Sequence, residues 1–108
     1  MRRSTFLFFI SFLLFFPPYA GADSISRKQQ KNLIHMLKHD CGSCHGITLK
    51  GGLGPPLTPE ALEGKPLEYL TYIITNGQPD RAMPPWGVLL SPEEIAWLAK
   101  KLQSGVTP

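Results

Sequence analysis

The run His39-Asp40-Cys41-Gly42-Ser43-Cys44-His45-Gly46, HDCGSCHG in one-letter code, sets two cysteines three positions apart and a histidine directly after the second. Three chemistries use such a run: a redox-active dithiol, a zinc site, and covalent attachment of haem c. Each makes a different demand on the rest of the chain.

A thioredoxin-like dithiol needs Cys41 at a helix N-terminus and strands alternating with helices. Here a helical pattern runs straight into Cys41, and no strand or hairpin signal follows. Zinc could recruit His35 and His39, one helical turn apart, together with Cys41 and Cys44. That tetrahedron is cramped and leaves His45 unused. Haem attachment uses the whole run. Successive residues of a helix step by about 100°, so Cys41 and Cys44 lie on nearly one face and both reach the same porphyrin, while His45 can swing beneath it to bind iron.

Residues 1–22 read as an export signal: Arg2 and Arg3, an apolar run from Phe6 to Phe16, and the small residues Ala20-Gly21-Ala22. Cleavage would leave Asp23 first and keep 86 of the 108 residues as one domain. The apolar run falls short of the roughly 20 residues that span a bilayer, and Pro17-Pro18 ends it, so no stable membrane anchor is expected. An exported chain belongs to the periplasm, where C-x-x-C-H is a much stronger signal than in the cytosol. Eleven Lys and Arg oppose eight Asp and Glu, but Arg2 and Arg3 leave with the signal, and nine against eight gives no support for nucleic-acid binding.

The domain reads as all-α. An amphipathic helix over residues 26–38 presents Leu33, Ile34 and Leu37, with Ser24 or Ser26 as N-cap. Glycines and prolines from Gly51 to Pro56 mark a loop, and Thr58-Pro59-Glu60 starts a short helix with proline in its first turn. A helix from Pro66 presents Leu67, Leu70, Ile73 and Ile74 and stops at Asn76-Gly77 in a left-handed cap. The last helix opens with a Ser91/Glu94 capping box, runs to about Gln103 and buries Ile95, Leu98, Ala99 and Leu102. Three or four short helices with long polar loops hold too little apolar sequence to pack alone, so a cofactor is expected at the centre.

Of the methionines that outlast export, Met36 sits on the first helix, where a core role is the ordinary expectation. Met83 lies in AMPPW, a loop stiffened by Pro84 and Pro85 and separated from His45 by a helix, and is the better second axial ligand. Trp86 packs on the porphyrin or donates its indole N–H to a propionate. With His45 and Met83 both on iron, no position is open for catalysis, so the chain is not expected to be an enzyme. One-electron transfer remains, through a docking patch of less than about 1,200 Å².

CGSCH, GPPL at 54–57, MPPW at 83–86 and SPEEIAWLAKKL at 91–102, in that order, resemble the class I c-type cytochromes over nearly all of the exported chain. The resemblance implies one covalent haem c, a Pro55 carbonyl that accepts the N–H of His45, an apolar haem contact at Leu57, and Trp97 where the last helix crosses the first. The longer run DCGSCHGITLKGGLGPPLTPEALEGKP, residues 40–66, is similar to the NirC-like cytochromes encoded beside the haem c/haem d1 nitrite reductase of denitrifying bacteria. It implies a monomer whose partners are the haem-attachment machinery and that reductase. The role is electron donation or, alternatively, help in maturation and haem d1 insertion.

Overall fold

Ser26 precedes a stretch of strong helix formers, and its side chain begins the first helix. In the computed structural model, which describes residues 25–106, α1 spans Arg27–Met36. The Ser26 hydroxyl accepts the Gln29 N–H at 3.2 Å, and the Gln29 side chain returns a 3.0 Å bond from the Ser26 N–H. Two N–H groups that no helical carbonyl can reach are thereby satisfied. The alternative cap Ser24, the export segment and its cleavage point lie outside the described residues.

The first helix does not stop near Lys38. It continues through a π-helical turn, Leu37–Cys41, into α2, Gly42–His45, and ends at Gly46. Nothing between Met36 and Cys41 breaks a helix, so the backbone carries on, and one wider turn takes up an extra residue. Leu33 and Leu37 are buried, and Ile34 is half-buried against the core.

The short helix α3, Pro59–Leu62, is capped by Thr58, whose hydroxyl accepts the Ala61 N–H at 3.3 Å. The next helix, α4, spans Leu67–Asn76 and buries Leu70. Gly77 ends it with φ 65° and ψ −165°. The positive φ matches the expectation, but ψ is extended, so the chain does not curl into a left-handed cap. A 3₁₀ turn, Trp86–Val88, packs on α4, and α5 spans Pro92–Ser104.

The capping box of α5 forms as read, with Glu94 N–H to the Ser91 hydroxyl at 3.2 Å and Ser91 N–H to the Glu94 carboxylate at 2.9 Å. Ile95, Leu98, Ala99 and Leu102 are its buried residues. This helix is the hub: it touches α1, α3 and α4. Leu98, Ala99 and Leu102 join Leu33 of α1, Leu37 of the π turn, Leu62 of α3 and Leu70 of α4 in one cluster, with Trp97 packed against it. The all-α expectation holds, with no strand among the described residues.

Candidate functional site

The C-terminal carbonyls of a helix have no partner within it. At α2 they are met by the glycine-rich loop that follows: Gly51 N–H donates to the His45 carbonyl and Gly54 N–H to the Cys44 carbonyl, each at 2.8 Å. The loop is closed by Leu57 N–H donating to the Leu49 carbonyl at 2.8 Å. Leu49 is buried with φ 59°, a left-handed conformation that leucine rarely adopts and that the enclosing bonds must hold.

This wrapping brings Pro55 to His45. The Nδ1 atom of His45 stands 2.7 Å from the Pro55 carbonyl oxygen. A carbonyl can only accept, so Nδ1 carries the proton and donates, and Nε2 is left with its lone pair, as a metal ligand requires. Gly54 makes the approach possible. A Cβ there would lie 2.7 Å from ring atoms of His45, well inside contact distance.

Cys41 and Cys44 are both free thiols, the first half-buried and the second exposed. Burial, and then the charge of Asp40, pushes the Cys41 thiol up to about 11. It is therefore neutral at pH 7, the opposite of the depressed thiol that dithiol exchange needs. The zinc arrangement is not assembled either. His35 and His39 are exposed and stack on each other, and no three His, Cys, Asp or Glu side chains among the described residues cluster so as to hold an ion. The donor set suits a haem: two unpaired thiols and an oriented imidazole within five residues.

Met83 is half-buried on the loop after α4, and Gln78 N–H donates to its carbonyl at 3.1 Å. Gly77 permits that fold-back, since a Cβ on it would stand 2.5 Å from the Met83 carbonyl oxygen and 2.6 Å from the Pro84 carbonyl carbon. Trp86 is half-buried at the head of the 3₁₀ turn, and its carbonyl accepts N–H bonds from Leu89 and Leu90, each at 3.0 Å. Leu57 and Met36 are half-buried against the leucine cluster. Gly54 and Gly77 are the residues that sequence reading left as a loop breaker and a helix stop. Their positions beside Pro55 and before the methionine loop were the available signals.

Residues 20–100 match the family model described as cytochrome c oxidase, cbb3-type, subunit III. Cytochrome c55X of Stutzerimonas stutzeri is 50% identical over 95 residues, covering 88% of this chain and 82% of that one. Cytochrome c55X of Paracoccus denitrificans is 43% identical over 83 residues, covering 77% and 79%. Among solved structures, a c-type cytochrome NirC superposes with a TM-score of 0.73 at 51% identity, over 74% of this chain and 94% of that one. Dihydro-heme d1 dehydrogenase NirN in complex with DHE superposes with a TM-score of 0.61 at 27% identity, over 68% of this chain and 16% of that one.

Proposed function

From the premise that the chain belongs to the c-type cytochrome family and is a NirC-like electron carrier, we propose that it is a periplasmic protein passing single electrons to a haem c/haem d1 nitrite reductase. The observation that carries the reading is the 2.7 Å bond from His45 Nδ1 to the Pro55 carbonyl, beside two unpaired cysteines. A bound haem c supplies a one-electron iron couple. Cys41 and Cys44 retain it through thioethers, one haem per chain. His45 would give Nε2 to the iron, with its ring held by the Pro55 carbonyl. Met83 would give its thioether sulfur as the second ligand, which would favour the ferrous form and raise the potential. Trp86 and Leu57 supply apolar surroundings. No described helix is long and apolar enough to cross a membrane.

Acid–acetone extraction of the denatured chain tests attachment. Haem stays on the polypeptide, with a mass increase of one haem, and release of all of it would defeat the proposal. Electron donation is tested by rapid mixing of the reduced protein with the mature reductase, where transfer is fast and depends on ionic strength.

The likeness to a protein solved in complex with DHE favours a second reading, an accessory role in maturing the reductase or inserting its haem d1. Met83→His keeps six ligands on iron but lowers the potential strongly. For a carrier this changes both the rate and the equilibrium of transfer, since donation to the reductase gains driving force while re-reduction of the carrier loses it. If the variant instead supports normal assembly of active reductase, and the wild type transfers no electrons on mixing, the accessory reading replaces the carrier.

A further inference from the structure

His35 and His39 have no part in the haem site. They stand at i and i+4 across the junction of α1 and the π turn, both exposed, with ring centroids 4.2 Å apart and planes tilted by 36°. The chain has three histidines, and the third, His45, is turned toward Pro55. Free imidazoles are therefore gathered at one spot on the surface, with His39 directly before Asp40 and Cys41.

We propose that this pair is a surface site for a divalent transition-metal ion, bound through one nitrogen of each ring, with copper(II) held most tightly. Histidines at i and i+4 share a helix face and form a bidentate claw. Two imidazoles on one ion, with metal–nitrogen bonds of about 2.0 Å, place their ring centroids roughly 5 Å apart. The observed spacing is close to that, so a small rotation of two exposed side chains suffices.

The neighbouring charges narrow the class of ion. Lys31 and Lys38 lie one turn before and one turn after His35 on the same helix, and Asp40 follows His39. A hard cation held by oxygen ligands and field gains little beside two ammonium groups. An ion that bonds directly to nitrogen tolerates them, and copper(II) heads the affinity order among divalent first-row metals. Among the described residues no third His, Cys, Asp or Glu completes the site, so water fills the remaining positions and the ion exchanges readily.

The haem-loaded chain in its ferric form, titrated with copper(II) alone, provides the test; ferrous iron would reduce the ion. Calorimetry should give one ion per chain, held at least tenfold more tightly than by His35→Gln or His39→Gln. Copper resonance should show nitrogen coupling that the double variant lacks, and zinc(II) in excess should displace the ion. The haem absorption should not change. Equal affinity in wild type and double variant would overturn the proposal, as would a copper-induced change at the haem. The inference leans on the proposed function only in assigning His45 to iron. The haem absorption of a His45→Ala variant reads that assignment separately, so the two can fail independently.

Discussion

At the scale of single residues, the site depends on small distances that side-chain chemistry alone does not reveal. Gly54→Ala puts a methyl group 2.7 Å from the His45 ring, which has to tilt and lengthen its bond to Pro55. The expected outcome is a loss of about 1–3 kcal/mol in stability and a shifted reduction potential, read by denaturant titration and redox titration. Unchanged values would show that the ring has room. Met83 and Met36 make a paired test. Met83→Ala should abolish the methionine-to-iron charge-transfer band in the far red and lower the potential, while Met36→Leu, at a half-buried core position, should leave both nearly unchanged. The reverse pattern would move the axial ligand onto α1.

At the scale of elements, the two ends of α4 and the middle of α5 have different tasks. Gly77 closes α4 and lets the methionine loop fold back, because its backbone lies at φ 65° with Met83 and Pro84 directly over the missing side chain. Gly77→Ala should leave helix content intact by circular dichroism yet weaken the far-red band, since the clash falls on the loop and not on the helix. Loss of helix with the band retained would contradict this. Leu98 is 2% exposed in the helix that touches all its neighbours. Leu98→Ala should cost about 2–5 kcal/mol, measured by chemical unfolding, through lost burial and the cavity left behind. The amphipathic faces of α1 and α5 were legible because 3.6-residue periodicity and caps are local properties. The π turn was not, since no local rule separates a wide turn from an ordinary one where both are free of glycine and proline.

For the molecule as a whole, ten of the described residues form the buried apolar core, while Ile47, Leu53, Val88 and Leu89 are each more than 70% exposed. A domain of this size with so small a core has little stability in reserve. Removing both attachment points by Cys41→Ser with Cys44→Ser should therefore yield a chain without haem that loses cooperative thermal unfolding and most of its helical circular dichroism. A haem-free chain that still melts cooperatively would mean that the leucine cluster suffices alone. The charge pattern is mild. Arg27, Lys28, Lys31 and Lys38 mark the first helical rod, and Glu60, Glu63 and Glu68 mark α3, its exit and α4.

By itself, the order of residues determined the all-α class, the N-caps at Thr58 and Ser91, the buried stripe of α5, and the C-x-x-C-H run that nominates the cofactor. All of these depend on neighbours within about one helical turn, where spacing and hydrogen-bond chemistry are fixed by the backbone. Tertiary structure decided the rest. It laid the Gly51–Pro55 loop over the open end of α2, so that Cys44 and His45 give their carbonyls to backbone N–H groups and the Pro55 carbonyl aims the imidazole. It also pressed Gly54 onto that ring and folded Met83 over Gly77. Each is a contact between segments whose relative placement follows from how loops close over the leucine cluster, which no local pattern encodes.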